Sequence, residues 1–191
     1  MDSKKVPKTE LEILSEKLVK RGYQQNCSDN PPSQKEIANF KQFSVKHNFV
    51  WHEGWFLPEN KEYPIVLKRV EKSDVILDIG AGNFALDLLL SEKCQKVYAV
   101  ELNPFVVSDA LKIIGYQQPR NLILICANGL DFAIPKEVNH LVMLLRHFSQ
   151  TLPSVFLEIP KITAQIYGEW LLVPEEEEVL EVANQNQHTK T

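Results

Sequence analysis

A chain of 191 residues has room for one compact domain and too little for two ordinary ones. Apolar residues at 44% supply a core, 24% charged residues suit a water-exposed surface, and a net charge of -4 argues against indiscriminate binding to polyanions. No apolar run approaches the roughly 20 residues of a membrane span, and the polar start MDSKKVPKTE lacks a leader's apolar stretch, so a cytoplasmic protein away from membranes is expected.

From the N-terminus, Leu11, Ile13, Leu14 and Leu18 fall on one face of a helix over Thr9 to Arg21, with Thr9 as cap and Gly22 as stop. The stretch NCSDNPPSQ is a loop by composition. A Ser-x-x-Glu capping box at Ser33 then opens a second helix, with Ile37, Phe40, Phe43 and Val45 as its apolar residues. NFVWHEGWFLP follows, and its Trp51, Trp55 and Phe56 read as anchors of the N-terminal helices, although aromatic faces also stack bases. His52 and Glu53 fit a pocket entrance or a solvated turn equally well.

At Asp74 the pattern changes. The apolar runs VILDI, KVYAVEL, NLILICA and HLVMLL alternate with the helical patterns FALDLLLSE and FVVSDALKIIG. Such alternation predicts an α/β fold, a doubly wound and mostly parallel sheet with both faces covered, and runs this continuously apolar suit strands buried on both sides. Beyond Ser149 the signal weakens, with SVFLEI and AQIYGEWLLV as candidates for further strands, antiparallel ones included. The organisation expected is an N-terminal helical segment over 1–60, an α/β core over 61–173 and an acidic, then polar tail over 174–191, disordered or a frayed helix. The glutamates Glu175 to Glu178 read as a solvated run, and no metal site is expected. The 3 cysteines, Cys27, Cys94 and Cys126, lack metal-ligand spacing and read as reduced thiols, Cys126 as core packing.

DVILDIGAGNFALDLLL joins a strand to a helix through a glycine bend, and such a bend lays backbone N–H groups against a nucleotide-bearing ligand. Gly80, Gly82 and Ala85 satisfy the loose dinucleotide fingerprint, with Glu101 near the distance of a ribose-gripping acid. Against a dinucleotide stand Asp78, where an apolar residue normally packs beneath the turn, and the roughly seventy residues ahead of the loop, since dinucleotide domains often begin with it. A carboxylate at Asp78 suits the positive amino-acid end of a ligand.

VILDIGAGNF and VYAVELNP resemble the first two motifs of the class I S-adenosylmethionine-dependent methyltransferases. The resemblance covers Asp74 to Leu145 and implies a Rossmann-like sheet with S-adenosyl-L-methionine across the carboxyl ends of its first strands. By position it implies Asp78, Gly80 and Gly82 near the methionine moiety and Glu101 on both ribose hydroxyls. LILICANGLDF resembles the third motif: Asn128 falls where the family commonly has an aspartate facing the adenine amino group, with Asp131 as fallback. Leu102 and Leu130 are candidates for the adenine faces. The sequence departs from the family at Phe84, where the loop often has glycine, and after the fifth strand, where a seven-stranded sheet is usual.

LLRHFSQ follows the fourth strand, where this fold faces the transferred methyl, so Arg146 and His147 are the catalytic candidates, His147 as a base. The Asn/Asp-Pro-Pro-aromatic sequence of amino-methylating nucleic-acid enzymes does not follow this strand, which weakens a nucleic-acid base as acceptor. The expectation is a methyltransferase acting on an unidentified small molecule, protein or RNA. The alternative is a non-catalytic cofactor-binding or interaction protein with a truncated fold, whose open sheet edge is a candidate homodimer contact.

Overall fold

The computed structural model describes residues 7–26, 60–145, 153–166 and 169–174, with the separate positions 35, 38, 42 and 45. The glycine bend lies inside this set. Arg146, His147, Cys27, the 49–56 aromatic stretch and the 175–178 acidic run lie outside it.

Helix α1 spans Glu10–Asn26. Thr9 Oγ1 accepts from the Glu12 N–H at 3.1 Å while the Glu12 carboxylate accepts from the Thr9 N–H at 2.8 Å, a reciprocal cap that fixes the start. The end lies beyond Gly22, which is buried within the helix; a mid-helix glycine costs about 1 kcal/mol against alanine, too little to stop a helix that is packed. Leu14 and Leu18 face the core and Leu11 packs against it, while Ile13 is 44% exposed, so of the expected face only Ile13 turns to solvent. The separate positions Lys35, Ala38, Gln42 and Val45 are helical and exposed, which puts Val45 on the solvent side of its helix. Helix α2 is Tyr63–Lys68.

Strand β1 (Val75–Ile79) runs through the bend into helix α3 (Ala85–Lys93), strand β2 (Lys96–Glu101), helix α4 (Pro104–Ile114) and strand β3 (Leu122–Cys126). Strand β4 (His140–Leu145) follows, then helix α5 (Ser154–Leu157), strand β5 (Lys161–Ile166) and strand β6 (Glu169–Val173). The sheet has 6 strands in the order β3-β2-β1-β4-β5-β6. Neighbouring strands from β3 to β5 pair in parallel, and β6 returns antiparallel to β5. The order reverses beside β1, so the crevice outside the carboxyl ends of β1 and β4 is the switch point where ligands bind in open α/β sheets.

The two faces are covered unequally. Ile76, Val97, Ala99 and Val142 meet α1, α3 and α4 on one face. On the other, Leu77, Ile79, Leu141 and Met143 pack against Phe156, Ile159 and the connection between β3 and β4. SVFLEI is not a strand: Pro153 caps the four residues of α5 and Pro160 ends the segment before β5, whereas AQIYGEWLLV does give the antiparallel pair. Strand β3 is an edge, so Cys126 is exposed and not core packing, while Cys94 is the buried thiol, its pKa pushed up to about 12 by burial. Among the described residues no helix is long and apolar enough to cross a membrane.

Candidate functional site

Gly80 and Gly82 take positive φ values of 78° and 60°, which L side chains rarely adopt, so the bend needs glycine at both. Phe84 also takes a positive φ, 64°, at the start of α3. That is why glycine suits this position: an αL backbone on a bulky residue costs roughly 1–3 kcal/mol. Phe84 is nevertheless 0% exposed and sits in the core between α1 and the sheet, and full burial of its ring outweighs the strain. It therefore packs inward and does not narrow the crevice. Helix α1 backs the bend directly, with Asn83 Nδ2 donating to the Leu18 carbonyl at 2.7 Å and Ser15 Oγ to the Ala85 carbonyl at 2.7 Å.

Glu101, the last residue of β2, lies against this bend. Its carboxylate accepts from the Gly82 N–H at 2.9 Å and from the Asn103 N–H at 2.7 Å. Burial raises its pKa, against the lowering by those two N–H groups. Asn103 caps α4, its side chain accepting from the Phe105 and Val106 N–H groups, so ELNP is a strand end turned at once into a helix. The Leu102 N–H also lowers the Glu101 pKa; each Glu101 oxygen has a second lone pair beyond the bonds to Gly82 and Asn103, and the residue is partly exposed, as a grip on a vicinal diol requires.

The bend's N–H groups differ from the expectation. Those of Gly80 and Ala81 both donate to the Val100 carbonyl, at 2.9 and 3.1 Å, and the Gly82 N–H goes to Glu101. Phe84 N–H donates to Ala81 and Ala85 N–H to the Asn83 side chain. The donors that cradle a pyrophosphate in a dinucleotide fold are thus bonded within the protein. What the bend offers is close approach of backbone and a field of carboxyl groups.

That field comes from Asp78, Asp87 and Glu101. Asp78 is 3% exposed, with a pKa pushed up to about 7 by burial and by Glu101, against the lowering from its hydrogen bond with Asp87. Asp87, in the first turn of α3, is 0% exposed and held well above the usual carboxylate range by burial and by Asp78. Asp87 was hidden within FALDLLLSE, where it passed for one position of a helix pattern; an acid inside so apolar a run was the available signal.

At the tip of β3, Ala127 N–H donates to the Glu101 carbonyl at 3.0 Å, bringing Asn128 beside Leu102 at the same crevice. Asn128 is arranged otherwise than expected. Its carbonyl oxygen accepts from the Leu130 N–H at 3.1 Å and its amide donates to Asp131 at 2.7 Å, so Asp131 is the residue presenting carboxylate oxygens to solvent. Leu102 and Leu130 are both partly exposed there. Gly129 is a missed residue: a Cβ on it would stand 2.6 Å from Ile79 Cγ2, so only glycine lets this turn lie against β1.

A parallel sheet reversing beside β1, with a glycine bend after that strand and an acid clasped to it from β2, has the architecture of the class I S-adenosylmethionine-dependent methyltransferases, and the chain is similar to that family. No family model matches it. Among particular proteins, it is 27% identical over 106 residues to a probable ribosomal RNA small subunit methyltransferase A of Methanosphaera stadtmanae, covering 52% of this chain and 39% of that protein. It is 38% identical over 50 residues to an uncharacterized protein of Methanocaldococcus jannaschii, covering 25% of this chain and 19% of the relative. The chain thus spans two fifths or less of the curated relatives it matches. Of solved structures, Methanocaldococcus jannaschii Trm5 in complex with adenosine aligns with a TM-score of 0.48 at 23% identity, over 56% of this chain and 33% of that one.

Proposed function

We propose that the chain binds S-adenosyl-L-methionine at the carboxyl ends of β1 to β3 and transfers its methyl group to an acceptor bound outside β4. The observation that carries this is Glu101, bonded to the glycine bend through Gly82 with lone pairs still free. A carboxylate accepting from both ribose hydroxyls makes charge-assisted bonds worth roughly 1.5–3 kcal/mol each. Gly80 and Gly82 let the ligand approach the backbone, Leu102 and Leu130 flank its base, and Asp131, braced by Asn128, accepts from the adenine amino group. Asp78 supplies negative charge beneath the amino-acid end. A dinucleotide fits poorly, because its pyrophosphate would meet three carboxyl groups and a bend whose N–H donors are bonded elsewhere.

The cofactor, when bound, supplies an electrophilic methyl, so the protein's share is alignment of two reactants and exclusion of water. Arg146 and His147 follow directly on β4, and there His147 is proposed to take a proton from the attacking atom, with Arg146 orienting the acceptor. The name of the Methanosphaera relative supports RNA as the acceptor class. The missing Asn/Asp-Pro-Pro-aromatic sequence argues against an exocyclic amine as the acceptor atom. A second reading is a cofactor-binding protein without turnover: among the described residues the sheet has 6 strands, where seven are usual in the family the chain resembles.

Thermal shift with S-adenosylmethionine, its demethylated product and NAD tests the cofactor, and methyl transfer to RNA separates the two readings. Stabilisation by the first two alone is expected; stabilisation by NAD alone overturns the proposal.

A further inference from the structure

Of the three carboxyl groups beneath the bend, the cofactor reading uses Glu101 and Asp78 and leaves Asp87 without a role. Asp87 is 0% exposed, and neither of its carboxyl oxygens accepts a hydrogen bond of good geometry from any of the described residues. The titratable groups that interact with it are Asp78 on β1, in hydrogen-bond contact, Glu101 on β2 and the Cys94 thiol just past the end of α3, which stays neutral. Leu86, Leu88 and Leu90 surround it along α3, and a leucine would fill the same space with no polar group to desolvate. A buried carboxyl without a cationic partner costs stability, so its presence calls for a role that a leucine cannot fill.

Two buried carboxyl groups in contact cannot both ionise and instead hold one proton between them. The helix N-terminus favours the charged form of Asp87. Burial and Asp78 outweigh that preference, which leaves Asp87 the proton holder and Asp78 the partner that ionises near neutrality.

We infer that Asp87 is a positioning residue for the cofactor reading above: its carboxyl proton is donated to Asp78 and fixes the Asp78 charge beneath the glycine bend, where it draws the ammonium end of the ligand. Only the ionised Asp78 attracts that end, so apparent affinity follows the ionised fraction. The inference rests on the cofactor reading, and two probes separate them: S-adenosylhomocysteine carries the ammonium, and adenosine lacks it.

Titration calorimetry on the full chain is expected to show S-adenosylhomocysteine binding about tenfold more tightly at about pH 8 than at about pH 6, with adenosine unchanged. Asp87→Asn keeps a donor and removes the competing acid, so affinity at the lower pH rises toward that at the higher. Asp87→Leu removes the donor, weakening S-adenosylhomocysteine about tenfold while adenosine stays within about twofold. Parallel loss of both ligands, or wild-type affinity and pH profile in both variants, overturns the inference. A wild-type chain that binds neither ligand overturns the cofactor reading instead. Carboxyl NMR of the ligand-free protein then still decides whether the pair exists: Asp87 protonated at neutral pH, with Asp78 titrating lower in Asp87→Asn, supports it, and an ionised Asp87 overturns it.

Discussion

Asp74 and Asp78 stand at opposite ends of β1, equally buried at 4% and 3% exposure, yet their protons behave oppositely. Asp74 accepts from the Glu71 N–H at 2.9 Å, His140 Nδ1 at 2.9 Å and Lys161 Nζ at 3.2 Å. Burial alone would raise its pKa, but these donors overcome that and hold it at about 2. The network continues inward. Ionised Asp74 can only accept, so His140 carries a proton on Nδ1. Burial lowers the His140 pKa, so the ring is uncharged at neutral pH and its Nε2 accepts from the Thr163 hydroxyl at 2.9 Å, while Thr163 Oγ1 accepts from Arg69 Nε at 2.9 Å. Thr163, His140 and Asp74 thus line up like a hydrolase triad, but Thr163 and His140 are 0% exposed and no substrate reaches them. The same Arg69 guanidinium donates to the carbonyls of Val173 and Pro174, pinning β6 to the sheet. Asp78 has only acids around it. One end of the strand uses its buried charge to hold the sheet together, and the other holds a carboxyl with no cationic partner among the described residues, as a site awaiting a cation does.

The largest effect is expected at the satisfied end. Asp74→Ala leaves His140 Nδ1 without its acceptor and Lys161 with Glu71 alone, and breaking a buried pair this way costs about 3–5 kcal/mol, read from the denaturant midpoint. A loss below about 1 kcal/mol would mean that the amino-end network does not support the fold. Phe84→Ala should cost a similar amount, about 3–5 kcal/mol, because a fully buried ring is removed. Phe84→Gly should be milder than Ala by up to about 1 kcal/mol, reversing the ordinary order, since the positive φ strains alanine and not glycine.

The pH dependence sharpens the contrast. Asp74 contributes stability present above about pH 4, the unfolded carboxylate value, and lost as pH falls toward about 2. Asp78 acts in the opposite sense: between about pH 4 and about 7 the native chain retains a proton that the unfolded chain releases, so stability falls as pH rises. The ligand-free melting temperature should therefore decline by at least about 3 °C from about pH 5 to about 7, roughly 1 kcal/mol for a chain this size. Asp78→Asn should reduce that decline, leaving the part that the raised Asp87 carboxyl contributes, and an unaltered slope in this variant would contradict the assignment.

What the sequence disclosed follows from how local each signal was. Strand-helix alternation from Asp74 onward is written in short runs, and the core strands and both connecting helices lie where those runs predict. Asp78, Gly80, Gly82 and Glu101 sit within two short motifs, and the structure brings the bend and Glu101 into contact. The amino-end network was illegible because its members are scattered, with Arg69 and Thr163 separated by 94 positions. The αL backbone at Phe84 was illegible because nothing in a phenylalanine announces positive φ; only tertiary burial sustains it. Asn128 lies just past the tip of β3, and its side chain closes its own turn, a local competition that residue type alone does not resolve.

The most direct measurement is calorimetric titration of S-adenosylmethionine into the wild-type chain and Glu101→Ala. Affinity in the variant should fall by about ten- to a hundredfold, with a cooperative melting transition retained. Equal affinity in the two proteins would contradict the ribose clasp, and with it the cofactor site at the carboxyl end of β1.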